Sequence, residues 1–194
     1  MNKIRSLLAN YKQHIEIPWR QDAAPAQRVI FCVYNETEER SLRVQIDEFE
    51  IATKETGHDW VRFDLTDTFA IWLCSLKYAE NYYKQPEKLE DAFSEYLNWL
   101  VNEFKKFIEV HNINQNHVVS LSGVGSLFGF LKIKEVVDSF SPLVLGKLLV
   151  FFPGSFENGN YRLLDSYDGW NYLAVPITAQ LKQRAEEGQN HAKP

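Results

Sequence analysis

The sequence predicts an α/β fold, and three observations carry that prediction. Apolar runs of strand length, Val29-Ile30-Phe31-Cys32-Val33-Tyr34 and Lys147-Leu148-Leu149-Val150-Phe151-Phe152 foremost, are nearly continuous. Strands covered on both faces of a parallel sheet have that pattern, because neither side meets water. Segments with helical spacing separate these runs, an alternation that builds a parallel sheet with helices packed on it. The 194 residues, 45% hydrophobic and 24% charged, suffice for one core without disulfides or metal. The expected architecture is a mostly parallel, Rossmann-like open sheet of about five strands, with helices on both faces and an antiparallel edge pair at the C-terminus. Residues 1–178 are expected to form a single domain, with a polar, flexible tail over 179–194.

The elements follow in order. Ile4, Leu8, Tyr11 and Ile15 share one face of an N-terminal helix over residues 2–15. Pro18 and Ala23-Ala24-Pro25-Ala26 read as a connector to the first strand, 29–34. Asn35, with Glu38 three residues on, makes a reciprocal cap for a helix whose buried stripe is Leu42, Ile46, Phe49 and Thr53. Gly57 supplies the left-handed position that stops it. Residues 60–65 are the second strand, so 29–65 is a strand–helix–strand unit with a right-handed crossover. Thr66 or Asp67 caps a helix through Trp72 and Leu76, and the aromatic stretch with Tyr78, Tyr82 and Tyr83 follows. A long helix starts at Pro86, a residue suited to a first turn. Its residues Leu89, Phe93, Leu97, Leu100, Phe104 and Phe107 recur at steps of three or four. Tyr96, Trp99 and Val101 widen that face, so this helix is either buried on two sides or carries an interface. Residues 117–121 are the third strand, and the glycine-rich turn 122–129 follows at once. Ile133, Val136, Val137 and Phe140 mark a short helix ended by Ser141-Pro142. The fourth strand, 147–152, stops at Pro153-Gly154. Residues 161–164 and 172–177 supply one or two last strands around a turn at Tyr167-Asp168-Gly169.

Charge and composition exclude several function classes. The net charge is −5, from 21 Lys plus Arg against 26 Asp plus Glu. Nucleic-acid binders present a basic patch to the phosphates. The longest basic cluster here is Lys105-Lys106, so direct nucleic-acid binding is not expected. Cys32 and Cys74 lie in apolar runs outside any CxxC and read as reduced core thiols of a cytosolic protein. The N-terminus opens an amphipathic pattern rather than a signal-peptide core. No apolar run approaches the roughly 18 residues of a membrane span. The cytoplasm is therefore the expected compartment. No two of His14, His58, His111, His117 and His191 share the i, i+4 spacing of a helical metal pair, and neither metal nor cofactor is expected.

The turn Ser122-Gly123-Val124-Gly125-Ser126-Leu127-Phe128-Gly129 has the setting of a phosphate loop, since it follows a strand and precedes a helix. Its residues depart from every complete pattern. Gly123 to Gly129 is one residue too long for G-x-x-x-x-G-K-[ST], and Phe130 stands in place of the lysine. Phe128 occupies the third glycine position of G-x-G-x-x-G. A nucleophile elbow requires glycine at 120 and 124 around Ser122, where the chain has Ser and Val. A tight turn whose small residues let backbones pack is the alternative reading. Asp64 and Asp67 flank the end of the second strand, either as helix caps or at the edge where ligands of open sheets bind. Gly154, Asn158, Asn160, Tyr161, Arg162, Asp168 and Trp170 form a polar and aromatic cluster. It is either an ordered loop or a recognition surface beside the same edge. Together Asp64, Asp67, Gly123, Gly125, Ser126, Gly129 and that cluster are the candidate ligand or partner contacts. Trp72, Tyr78, Tyr82, Tyr83, Tyr96 and Trp99 are the candidate interface.

The stretches Ala52-Thr53-Lys54-Glu55, 61–67, 123–130, 149–154, 160–165 and 168–177 resemble the BrxB family of BREX bacteriophage-exclusion loci. The resemblance runs over nearly the whole chain to about Thr178 and is densest in the C-terminal third. BREX systems mark host DNA by methylation and block phage replication, and include a methyltransferase, a phosphatase-like PglZ protein and a large ATPase. What the resemblance implies is an accessory or scaffolding component of that assembly, without catalysis of its own, contacting other BREX proteins, PglZ first. It brings no catalytic residue to this chain. The residues leave a homodimer open, and they leave two rivals: a ligand- or nucleotide-binding regulatory domain with a degenerate phosphate-type loop, and a hydrolase or nuclease using Ser122, Asp64 and His117.

Overall fold

The computed structural model describes residues 3–20, 22–164 and 169–180. The strands are β1 (Val29–Tyr34), β2 (Asp59–Asp64), β3 (His117–Ser122), β4 (Lys147–Glu157), β5 (Asn160–Leu163), β6 (Trp170–Asn171) and β7 (Val175–Ile177). The helices are α1 (Lys3–Ile15), α2 (Glu39–Glu55), α3 (Thr68–Ser75), α4 (Ala79–Lys84), α5 (Phe93–Val110) and α6 (Ile133–Phe140). Five strands pair in parallel in the order β2-β3-β4-β1-β7, and β5 and β6 add to β4 in antiparallel pairing. The α/β class and the mostly parallel sheet match the sequence reading, with seven strands in place of about five.

Alternation explains why β1 had to be apolar throughout. Ile30, Cys32 and Tyr34 enter one layer with Ile4, Leu7 and Tyr11 of α1 and Leu42, Ile46 and Phe49 of α2. Val29, Phe31 and Val33 enter the opposite layer with Trp72 of α3, Tyr96, Leu100 and Phe104 of α5, and Val136 and Phe140 of α6. All six β1 side chains are buried. In the second layer the Phe104 and Phe140 rings stack at 3.8 Å. In the first, the buried hydroxyls of Tyr11 and Thr53 satisfy each other at 2.6 Å.

Three local expectations change. Asn35 does cap, but its Oδ1 accepts from the Thr37 N–H over a 3-10 turn, Glu36–Glu38, and α2 begins only at Glu39. Pro86 opens a 3-10 stretch, Pro86–Ala92, with α5 starting at Phe93. Pro153-Gly154 does not stop β4. The strand runs on to Glu157, leaves the parallel sheet at Gly154 and pairs with β5. A Cβ on Gly154 would lie 2.0 Å from the Arg162 carbonyl oxygen, so only glycine lets the two strands cross there. The antiparallel pairs are thus β4–β5 and β5–β6, while β7, the last strand, lies parallel to β1 at the sheet edge. Tyr167 and Asp168 of the expected turn, and residues 181–194 of the expected tail, lie outside the described residues.

Candidate functional site

The carboxyl ends of the parallel strands form the edge where open α/β sheets take ligands. The favoured point is where neighbouring strands send their connections to opposite faces. Here β1 leads to α2 on one face, while β3 leads to α6 on the other and β4 to the hairpin there. The boundary between β1 and β4 is therefore the switch point. Around this edge a chain of side chains runs from Tyr34 to Asp64. The Tyr34 hydroxyl donates to Glu39, and Arg43 Nε donates to Glu39 Oε1 at 2.7 Å. Arg43 also donates to Thr66 Oγ1 at 3.3 Å. Thr66 in turn gives both its hydroxyl, at 2.6 Å, and its backbone N–H, at 3.0 Å, to Asp64 Oδ1. Partial burial works against charge on Asp64. The two Thr66 hydrogen bonds and the Arg43 guanidinium outweigh it and hold the carboxyl below its usual value. Burial, with Glu39 as its hydrogen-bond acceptor, pushes the Tyr34 phenol strongly up.

The glycine-rich turn packs against this network. Gly123 is left-handed at φ +72°, and a Cβ there would meet Thr66 Oγ1 at 2.4 Å and Asp64 Oδ1 at 2.8 Å. Gly125 lies against Pro153, and Ser126 and Gly129 follow in the turn. The turn spends three of its amides internally. The N–H groups of Ser126, Phe128 and Phe130 donate to the carbonyls of Gly123, Gly125 and Leu127. Those three groups do not point outward as a phosphate loop requires, and residues Val124–Leu127 form a 3-10 corner. Asp67 sits at the start of α3 without a side-chain capping bond. Asp64 closes a local turn with Thr66 instead of capping a helix, which corrects the capping account of both carboxylates.

The C-terminal cluster separates into structural parts. Asn158 and Gly159, at φ +50° and +80°, are the two left-handed residues of the β4–β5 hairpin turn. Asn160 and Arg162 face solvent, whereas Tyr161 is fully buried and donates its hydroxyl to the Ala174 carbonyl at 3.1 Å. Trp170 packs on Tyr161, Phe31 and Phe152. Asp168 lies outside the described residues. Of the candidate interface, Trp72 and Tyr96 are core residues, 2% and 0% exposed, and Trp99 is half-buried beside Tyr96. Tyr78 and Tyr83 stand on the surface. Tyr78 and Tyr82 line a 640 Å³ cavity with Lys84, Lys88 and Asp91. Sequence reasoning missed Tyr34, Glu39, Arg43 and Thr66. The spacing Asp64-x-Thr66 was the readable sign of a side-chain turn, but nothing local in sequence pairs Arg43 with Thr66.

These observations define an open-sheet α/β protein whose carboxyl edge is filled by its own polar network and whose hairpin completes the core. The chain belongs to the BrxB family: the family model described as BREX protein BrxB matches residues 62–177. That match takes in Asp64 and Thr66 of the carboxyl edge, the glycine-rich turn and the hairpin, and leaves α1, β1 and α2, with Tyr34, Glu39 and Arg43, outside it. No curated protein and no solved structure matches the chain. Membership implies a component of a BREX phage-defence system, with other BREX proteins as partners. No described helix is long and apolar enough to cross a membrane.

Proposed function

We propose that this BrxB protein is an accessory, scaffolding component of a BREX assembly that works through protein–protein contacts, with the phosphatase-like PglZ protein as its first partner and α3–α4 as its docking face. The observation that carries the reading is the composition of α3. Its residues Thr68-Phe69-Ala70-Ile71-Trp72-Leu73-Cys74-Ser75 are apolar nearly all round, a pattern of buried helices. Trp72 and Leu73 face the core, yet Ile71 remains 57% exposed. Cys74, expected from its apolar run to be a core thiol, is exposed beside it with Ala70, and Tyr78 and Tyr83 follow at 61% each. A partner would cover this strip, and tyrosine is an enriched contact residue in such surfaces.

Co-expression with PglZ followed by size exclusion tests the reading. The expected result is co-elution that Ile71→Glu with Tyr83→Asp abolishes while the variant's circular dichroism is unchanged. A chain that elutes apart from PglZ and from every other BREX protein refutes the scaffolding role. Co-elution that survives the double change removes α3–α4 as the face.

A further inference from the structure

The opposite, amino-terminal end of the sheet holds a pair of cations that the partner-binding reading does not use. Arg28 and Lys147 stand one residue before the paired residues Val29 and Leu148 of the parallel β1–β4 ladder. Lys147 lies two residues before Leu149 and projects to the α1–α2 layer, and Arg28, which ends a 3-10 turn at the foot of β1, stands near enough for its charge to act on Lys147. Like charges near each other repel. Burial and the neighbouring Arg28 charge both push the Lys147 ammonium below its usual value. None of the ion pairs among the described residues involves either cation. Arg28 makes one hydrogen bond, to the Leu145 carbonyl at 3.2 Å, and its Nε is buried without an acceptor.

Trp19 lies beside Lys147. Its indole stacks on His58 at 3.7 Å, Lys147 Nζ lies 5.8 Å from the ring centre, and its Nε1 is, with Arg28 Nε, the second buried nitrogen donor without an acceptor. His58 is held in turn by Asn116 Oδ1 at 2.7 Å. Orphaned buried donors of this kind are costly, and a chain of net charge −5 has carboxylates to spare elsewhere. Two positive charges without a carboxylate partner, beside two unsatisfied nitrogen donors, have the composition of an anion site.

We infer that Arg28, Lys147 and Trp19 form a binding site for a phosphate group at the amino-terminal end of the sheet. Two cations match the double negative charge of a phosphate monoester better than the single charge of a carboxylate. The planar guanidinium takes two oxygens while the ammonium supplies a point charge. Both side chains are half-buried, so the group enters from solvent.

Thermal unfolding in inorganic phosphate, against chloride at equal ionic strength, is the first measurement, with isothermal titration of phosphate as the second. Phosphate is expected to raise the melting temperature. At phosphate a hundredfold above its dissociation constant the folding equilibrium moves about 100-fold. The expected signature is paired: Lys147→Met abolishes the phosphate response and raises the melting temperature in chloride, because it removes an uncompensated charge. Arg28→Lys weakens the response. A Lys147→Met protein that is less stable in chloride and keeps its phosphate response overturns the site, as does a wild-type protein with no response. AMP binding as inorganic phosphate does, with adenosine inert, assigns a nucleotide's phosphate. Inorganic phosphate binding while AMP does not assigns the free ion. Acetate acting as strongly as phosphate overturns the phosphate assignment.

Discussion

At Gly123 the chain has no room for a side chain and a backbone that L residues rarely adopt. Gly123→Ala would place its Cβ 2.4 Å from Thr66 Oγ1 at φ +72°, and is expected to cost about 1–3 kcal/mol in denaturant unfolding. The neighbouring carboxylate sets a pH dependence. The folded value of Asp64 lies below its unfolded value near 3.9. Its contribution to stability is therefore full above about pH 3.9 and is lost as pH falls through the lower folded value. Asp64→Asn is expected to flatten that part of the acid-unfolding curve, and an unchanged curve would remove Asp64 as a cause. At this scale the sequence located these groups at one edge but not what they do there. Asp64, Gly123 and Gly125 do converge. Their contacts are with Thr66 and Pro153 of the same chain, which no spacing rule brings together.

Among the elements, α5 shows how far periodicity carries. The step of three or four picked out Leu100 and Phe104, and both are fully buried. Phe104→Ala removes a ring stacked at 3.8 Å on Phe140, and is expected to lower stability by about 3–5 kcal/mol in urea unfolding. The same helix shows where pattern fails. Tyr96 could be either core or interface by its spacing, and α3 covers it, with Thr68 Oγ1 2.8 Å from its hydroxyl. An apolar face is visible in one segment, whereas its partner is a property of two. The hairpin was missed for another reason. Asn158-Gly159 is a strong two-residue hairpin signal, but Pro153-Gly154 just before it read as the end of a strand.

For the whole molecule, the strand order follows from burial. β1, apolar on both sides, sits between β4 and β7, while β2, with Arg62 and Asp64 exposed, takes an edge. At the other edge β7 carries Pro176, which tolerates that position because it lacks a backbone N–H to offer a further strand. Removing β7 would bare the flank of a fully apolar strand. A chain ending at Gly169 is expected to shift from a single species to aggregates in light scattering, and a truncated chain that stays dispersed would mean β1 needs no cover. The continuous runs made the parallel sheet legible, though not its strand order. The shared strand was not legible either, because a crossing at one glycine leaves no periodic trace.

That shared strand has a mechanical consequence. β4 is at once a central strand of the parallel sheet and the first strand of the hairpin, with one unbroken backbone from Lys147 to Glu157. The hairpin cannot swing as a separate flap, because Tyr161 and Trp170 are anchored on Phe31 in the middle of the sheet. Force applied by anything gripping the hairpin passes straight to β1, so the protein would respond to a pull as a lever rather than as a hinge.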